Sequence, residues 1–264
     1  MRSLALLPTL PLVLTACHLC ACQTEVHETD QVKSGPWPAG AALAVETDNG
    51  AIRVTPGEGT DYKVVATLRS PSEERLARTA VRIAEADGVM RVSIDWPEGR
   101  TLSNEGCSLV IRVPAAAGLQ LRTSNGSIEF GGFACEAVAT TSNGRISAMD
   151  LDGPAELVTS NGGIEARGIG GRLRAETSNG SIKAELRPDN AGPVTLRSSN
   201  GGITVDASAL AGVIMATTSN GSIDVQGADK VQRHSEDHVE VDLGNGQRSV
   251  VTTSNGKIRM KFRF

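Results

Sequence analysis

The residues that could do chemistry are, first, seven serines that recur within near-copies of one motif, Thr-Ser-Asn-Gly-x-Ile. A nucleophilic serine needs a general base within hydrogen-bonding reach, and histidine is the usual one. The chain has 4 histidines, and none recurs with these serines. We therefore expect the serines to shape a turn rather than to attack a substrate. They are Ser124, Ser142, Ser160, Ser178, Ser199, Ser219 and Ser254.

A second candidate is the segment His234-Ser-Glu-Asp-His238, which has four residues of metal-ligand types within five positions. Zinc and copper bind such side chains. The segment lies in a polar insertion beside strand-like sequence, so a solvated loop is the better interpretation. Asp and Glu elsewhere are scattered, and the sequence has no Gly-rich phosphate loop and no Asp-rich calcium turn. We expect no catalytic residue, no metal site and no cofactor.

The repeat that carries the serines is the strongest signal in the sequence. Its asparagines are separated by 18, 18, 18, 21, 20 and 35 residues, and a looser copy, Thr47-Asp-Asn-Gly-Ala-Ile52, lies upstream. A fixed period of about 20 residues is typical of a repeat protein whose units bury their apolar faces on their neighbours. We predict that the asparagines stack as a hydrogen-bonded ladder and that the following glycine supplies the positive φ of a sharp corner. The predicted ladder is Asn125, Asn143, Asn161, Asn179, Asn200, Asn220 and Asn255.

Apolar and polar residues alternate on both sides of each Asn-Gly pair, as in strands with one buried face. The threonine that begins each motif and the isoleucine that ends it should point inward. A third apolar position follows at Phe133, Leu151, Ile169 and Leu186. Three inward stripes per coil of about 18–21 residues favour a three-sided parallel β-helix. Asn-Gly between alternating strands is also a strong hairpin signal, so an antiparallel meander is the alternative.

The N-terminal segment, residues 1–16, resembles a bacterial lipoprotein signal peptide. Its apolar run, Leu4 to Val13, is too short to span a bilayer, which needs about 20 apolar residues. Leu14-Thr-Ala-Cys17 closes the run. The resemblance implies that Cys17 is acylated and anchors the protein to a membrane. An ordinary secretory signal cut near Ala21 is the alternative.

Composition divides the rest of the chain into three parts. Residues 17–40 are polar and interrupted by prolines, and we predict a flexible tether. Residues 41–118 have strand-like alternation and one short helix with Ser72 as N-cap. Residues 119–264 form the predicted β-solenoid.

An insertion at 227–248 lengthens the last interval of the repeat. We predict that it forms a hairpin protruding from, or capping, the last full coil. The basic residues of the final strand would protect the open edge of the solenoid. They are Lys257, Arg259, Lys261 and Arg263.

Charge and cysteines restrict the partners. The formal net charge is -4 with no basic block, so a nucleic-acid partner is not expected. Cys107 and Cys135 lie in the predicted folded part, in a compartment that permits disulfides. A bridge between them and two separate buried thiols both remain open, because sequence does not supply the Cα separation.

Strands followed by coils marked Thr-Ser-Asn-Gly-x-Ile resemble the bacterial putative-adhesin family of envelope β-solenoids, over about residues 41–264. The resemblance implies a right-handed parallel β-helix at the cell envelope. Some relatives are associated with envelope-stress signalling, and the family contributes no catalytic residue.

We therefore predict a lipid-anchored envelope protein that is not an enzyme. Its adhesin-like surface would bind or scaffold an unidentified envelope protein or polysaccharide. Parallel β-helices also host polysaccharide-active enzymes, which need paired carboxylates roughly 5–10 Å apart in a groove. A filament assembled through the coil ends is the third alternative.

Overall fold

The computed structural model describes residues 26–190, 192–207, 210–244 and 246–263. These residues form 23 β-strands, one short α-helix and one 3-10 turn. The strands lie in two sheets, sheet A with 11 strands and sheet B with 12. The prediction of an all-β solenoid is confirmed.

The strands of sheet A are β1 (His27–Pro36), β3 (Ile52–Pro56), β4 (Asp61–Ser70), β7 (Gly106–Val113), β9 (Ile128–Gly131), β11 (Ile146–Leu151), β13 (Ile164–Ile169), β15 (Ile182–Leu186), β17 (Ile203–Ala207), β19 (Ile223–Gln226) and β23 (Ile258–Phe262). The strands of sheet B are β2 (Ala42–Thr47), β5 (Ala80–Ala86), β6 (Val89–Asp95), β8 (Gly118–Thr123), β10 (Glu136–Thr141), β12 (Ala155–Thr159), β14 (Leu173–Thr177), β16 (Val194–Ser198), β18 (Val213–Thr218), β20 (Val231–Arg233), β21 (His238–Asp242) and β22 (Arg248–Thr253). The helix α1 is Glu73–Arg78, and the 3-10 turn is Pro97–Gly99.

Each Asn-Gly corner joins a strand of sheet B to a strand of sheet A. Strand β10, for example, enters the corner at Thr141, and β11 leaves it at Ile146. Successive coils pair in parallel and in register, with Ile146 between Ile128 and Ile164. The inward side chains of both sheets meet in one apolar core that continues across residues 118 and 119.

The coils have two sheets rather than the three sides that the third apolar position suggested. Leu151, Ile169 and Leu186 are buried, but they end strands of sheet A and do not begin a third sheet. Asp150 has φ 51° and Gly168 has φ 65°. Each adds one outward residue to its strand, a bulge that returns the next side chain to the core.

The two ends of the stack do not follow the order of the chain. The coil β22–β23 lies between the coil β16–β17 and the coil β18–β19, so the last coil in sequence is the second to last in space. At the other end, β6 and β7 stack outside β2 and β3.

The insertion at 227–248 connects the coil β18–β19 at the end of the stack to the coil β22–β23 inside it. Strand β21 pairs antiparallel with β18 and with β20, and not with β22. The insertion therefore caps sheet B, which is one of the two predicted outcomes. Its hairpin is formed by β20 and β21, and β21 pairs with β18. The expectation that basic residues of the final strand guard an edge is wrong, because β23 is an interior strand between β17 and β19.

The predicted tether is wrong for residues 27–36, which form β1 along the whole of β4. The sequence of β1 has a single large apolar residue, Val32, so it has no period that would indicate a strand. The strand forms because its backbone pairs with the edge of β4. The prediction that Ser72 caps the short helix α1 is confirmed. Asp87-Gly88 joins β5 to β6, and β7 ends before Pro114.

Candidate binding surface

The predicted ladder residues lie in one column along the corners, each with its amide bonded to the next. Asn161 Nδ2 donates to Asn143 Oδ1 at 2.8 Å, and Asn179 Nδ2 donates to Asn161 Oδ1 at 2.8 Å. The looser upstream copy joins the column through Asn49, which accepts from Asn125 at 2.7 Å. The spatial order is Asn49, Asn125, Asn143, Asn161, Asn179, Asn200, Asn255 and Asn220.

A second column of hydrogen bonds lies just inside the first. The repeated threonine is buried, and its hydroxyl donates to the carbonyl of the corner glycine one coil away. Thr159 Oγ1, for example, bonds Gly144 O at 3.0 Å, and Thr177 Oγ1 bonds Gly162 O at 2.8 Å. The threonine is therefore a satisfied buried polar group that joins consecutive coils.

The corner glycine has a different role from the predicted one. It does not adopt positive φ, which in the described chain occurs at other glycines such as Gly132. A Cβ on Gly162 would lie 1.8 Å from Gly144 O, and one on Gly144 would lie 1.8 Å from Gly126 O. Glycine is needed because the backbone of the neighbouring coil occupies the space of a side chain.

The outward side chains of both sheets are mainly polar, and many are paired across neighbouring coils. On sheet A, Arg53 Nη2 lies 2.7 Å from Glu129 Oε2. On sheet B, Arg174 contacts both Glu156 at 3.6 Å and Glu176 at 3.0 Å. Exposed pairs of this kind contribute little to stability. They nevertheless neutralise much of each face.

A shallow groove of about 580 Å³ interrupts this pattern on sheet B, near β2. Ala44 forms its floor and lies between Arg91 and Gln120 in register, with Val138 next in the same row. Because alanine is short, the longer neighbours leave a depression above it. Arg122 borders the groove, with its Nε 3.8 Å from Glu46 Oε1.

Arg91 is the unbalanced charge of this groove, since it forms no ion pair with any residue that the structure describes. Arg91, Arg122 and Ala44 could not be recognised as a group from the sequence. Arg91 is 47 positions from Ala44 in sequence. They meet only because β6 stacks outside β2, and the repeat does not encode that order.

A buried ion pair, also missed, fixes the N-terminal end of the stack. Glu105 is 2% exposed, and its carboxylate accepts from Arg75 Nε at 2.7 Å and Arg75 Nη2 at 3.0 Å. Ser70 Oγ and Leu102 N also donate to it. The hydrogen bond from Arg75 is the main reason that the pKa of Glu105 is lowered. Asn49 Nδ2 donates to Glu105 O at 2.9 Å, so this loop also ends the asparagine ladder.

The candidate disulfide between Cys107 and Cys135 is absent, and both thiols are free. Cys107 lies beside the Asn-Gly corner, where a Cβ on Gly50 would meet its carbonyl oxygen. Cys135 precedes β10, at the opposite corner of the coil. Burial raises the pKa of Cys107 to about 12 and also raises that of Cys135.

The histidine segment forms the turn between β20 and β21. The His234 and His238 rings have centroids 5.2 Å apart, and His238 Nδ1 lies 3.2 Å from Thr217 Oγ1. Across the described parts of the chain, no three His, Cys, Asp or Glu side chains are grouped so that they could hold a metal ion. No helix in those parts is long and apolar enough to cross a membrane. Cys17 lies outside the described residues.

The fold and its open outer faces define a two-sheet parallel β-solenoid. A family model, Toastrack DUF4097, matches residues 41–261. The chain therefore belongs to the Toastrack DUF4097 family, and the predicted family resemblance is confirmed. A comparison with curated proteins finds no match.

Three solved structures are similar to the chain over most of its length. A putative cell adhesion protein from Clostridium sporogenes has 12% identity and a TM-score of 0.41, covering 90% of this chain and 100% of its own. A putative adhesin from Bacteroides fragilis has 12% identity and a TM-score of 0.38, covering 89% and 97%. A putative adhesin from Parabacteroides distasonis has 9% identity and a TM-score of 0.36, covering 88% of this chain and 97% of its own. At these identities and TM-scores, the similarity supports no conclusion about the function of this chain.

Proposed function

We propose that the chain is a non-catalytic, adhesin-like binding protein of the cell envelope, anchored by a lipid on Cys17. Its partner is an envelope protein or polysaccharide with acidic groups, bound on the outer face of sheet B. The observation that carries this proposal is the groove around Ala44, where Arg91 has no carboxylate partner among the described residues.

The division of labour within each coil supports a binding role. The threonine, asparagine and glycine of the repeat are used in contacts between coils. Specificity must therefore come from the outward residues, which differ from coil to coil. The groove combines a short apolar floor with two arginines on a rigid sheet, a combination suited to an acidic partner.

The outward carboxylates give less support to a polysaccharide-active enzyme than the groove gives to a binding protein. Glu185 and Asp206 are neighbours across β15 and β17, so a pair of acids does lie on sheet A. Asp206 is engaged by Arg263, with 2.7 Å between Oδ2 and Nη2. The pair lies on a sheet face with Glu185 exposed, whereas catalysis of this kind needs a site from which water is excluded.

Binding is tested with the full chain and two envelope preparations, detergent-solubilised proteins and purified polysaccharide. The double variant Arg91→Ala/Arg122→Ala should lower affinity at least tenfold. The control variant Arg145→Ala/Arg259→Ala removes the same charge outside the groove and should leave the affinity unchanged. Wild-type binding should weaken as salt rises. Equal affinity of the two double variants would contradict the assignment to the groove, and no binding to either preparation would contradict the proposed partner.

The lipid anchor is tested by fractionation of cells that express the chain. The variant Cys17→Ser should move from the membrane fraction to the soluble fraction, and wild type should carry acyl mass on its N-terminal peptide. A mature protein that begins near Ala21 without lipid would establish the secretory alternative instead.

A further inference from the structure

Strand β1 presents the longest unpaired edge of either sheet in the described chain. It has 10 residues, whereas the other edge strands β5, β19 and β20 have 7, 4 and 3. One side of β1 pairs with β4 along all ten positions, and the other side has no strand beside it. An open strand edge is a template for pairing with another chain.

The backbone register tells which residues of β1 offer hydrogen bonds at this edge. Trp37 N donates to Thr60 O at 2.8 Å, one position beyond the last β1–β4 pair. Hydrogen-bonded and non-bonded pairs alternate in antiparallel strands. Odd-numbered residues therefore direct their backbone groups to β4. The even-numbered residues Asp30, Val32 and Ser34 direct theirs to the open edge.

The two most exposed large apolar side chains lie on this strand and just before it. Val26 and Val32 are 58% and 57% exposed, more than any other large apolar side chain that the structure describes. Val32 lies opposite Val65, and Val65 lies opposite Val110. The three valines form a row across the outer face of sheet A that stops abruptly at the open edge.

Side-chain contacts add to the backbone pairing that positions β1. Arg69 Nε lies 2.7 Å from Glu28 Oε2, and Thr67 Oγ1 donates to Asp30 Oδ1 at 2.7 Å. On the inner side, Gln31 donates to Thr79 O and accepts from Val81 N. A partner would meet a strand already in its bound form, so little ordering entropy opposes pairing.

We propose that a second copy of the chain pairs along this edge, β1 antiparallel to β1, with a two-fold axis at Val32. Two-fold symmetry allows only registers in which one residue faces its own copy. Asp30 or Lys33 at the axis would place like charges opposite each other. Gln31 at the axis would place Asp30 opposite the partner's Val32. With Val32 at the axis, the valine row continues through both copies.

This register also uses the edge hydrogen bonds well. Val32 exchanges two backbone bonds with its own copy, and Asp30 pairs with the partner's Ser34. Pro36, which lacks an N–H, lies opposite the partner's Glu28 at the end of the strand, where one missing bond matters least. The dimer joins two sheet A surfaces into one and would present two copies of any binding face to a common partner, which raises avidity. The inference does not depend on the proposed function.

The mass of the full chain in solution is the first test, measured by light scattering over rising concentration. Wild type should reach twice the monomer mass. Val32→Lys should remain monomeric, because it sets two ammonium groups opposite each other. The matched control Val231→Lys changes a valine that is 39% exposed on the edge strand β20, and it should dimerise as wild type does. Circular dichroism would verify that both variants are folded.

Cross-linking tests the register. Antiparallel partners lie about 5.5 Å apart at hydrogen-bonded pairs, which is within disulfide range. Val32→Cys should give a symmetric disulfide dimer, located by peptide mapping under non-reducing conditions, at several times the yield of Gln31→Cys. Wild type that stays monomeric to its solubility limit would overturn the proposal. So would dimeric Val32→Lys, a mass that grows without limit, or a higher yield for Gln31→Cys.

Discussion

The middle of the stack and its two ends are built from the same coils but by different rules. From β8 to β17 each coil lies on the one before it in sequence, and all strand pairs are parallel. At the ends, coils are stacked out of order and antiparallel strands are added outside them. The corner motif therefore specifies that two coils stack, but not which coils are neighbours.

The lengths of the connections between corners account for only part of this order. Intervals of 18 and 21 residues take the chain to the adjacent level, but the 20-residue interval between Asn200 and Asn220 passes over one level, which the coil of Asn255 occupies. The 35-residue interval between Asn220 and Asn255 also contains β20 and β21, and this extra length lets the chain return to the inner level. The order at this end is therefore not set by interval length alone, and the last coil fills the level that the preceding coil passed over.

The largest effect in the middle of the stack should come from Gly162→Ala. Its new Cβ would lie 1.8 Å from Gly144 O, and neither backbone can retreat without breaking the ladder. We expect a loss of unfolding free energy of more than about 4 kcal/mol, or no folded protein. Urea denaturation followed by circular dichroism measures it.

Gly163→Ala is the matched control for this change. Its Cβ would lie 3.3 Å from Ser181 O, a contact that small shifts relieve. The expected loss is less than about 1 kcal/mol. Similar losses for the two neighbouring glycines would show that close stacking at the corner does not determine the middle of the solenoid.

At the N-terminal end, the largest effect should come from Glu105→Gln. The change leaves Arg75, whose side chain is 15% exposed, without its bidentate carboxylate. Breaking a buried pair in this way costs about 3 kcal/mol. Glu129→Gln removes an exposed pair from the middle of sheet A and should cost less than about 0.5 kcal/mol. Equal losses would remove the distinction between end and middle.

Because of the Glu105 carboxyl, we also expect the N-terminal end of the stack to be sensitive to acid. The pKa of Glu105 in the folded state is below its ordinary value of 4.5. Its contribution to stability is therefore complete above the unfolded-state pKa and is lost as pH falls through the folded-state pKa. Wild type should lose more unfolding free energy than Glu105→Gln between neutral pH and the acid side of this window. Parallel pH profiles for the two proteins would contradict this assignment.

Smaller effects are expected along the asparagine ladder. Asn161→Ala removes two ladder bonds, and Asn220→Ala at the end of the column removes one. Because these side chains are exposed, we expect losses of about 1 and about 0.5 kcal/mol. Thermal melting of the two variants beside wild type makes the comparison. A melting temperature unchanged for Asn161→Ala would show that the ladder does not stabilise the stack.

The sequence predicted the middle of the molecule well and the ends poorly, for a physical reason. Burial of Ile146 and Thr141 follows from a local pattern that every coil repeats, so alternation alone places them inward. The edge strand β1 has backbone pairing but almost no apolar period. The groove at Ala44 and the pair Arg75–Glu105 need contacts between segments whose spatial order no local pattern encodes.

The central claim, that the last coil lies inside the stack, is tested most directly by disulfide trapping between outward positions of sheet A. Thr204 is the register partner of Arg259, and Arg259 is the partner of Asp224. Neighbouring strands lie about 4.8 Å apart, whereas strands two apart lie about 9.6 Å apart, beyond disulfide reach. Thr204→Cys/Arg259→Cys should therefore cross-link under mild oxidation, and Thr204→Cys/Asp224→Cys should not. The reverse result would mean that the coils stack in the order of the sequence, and it would contradict this account.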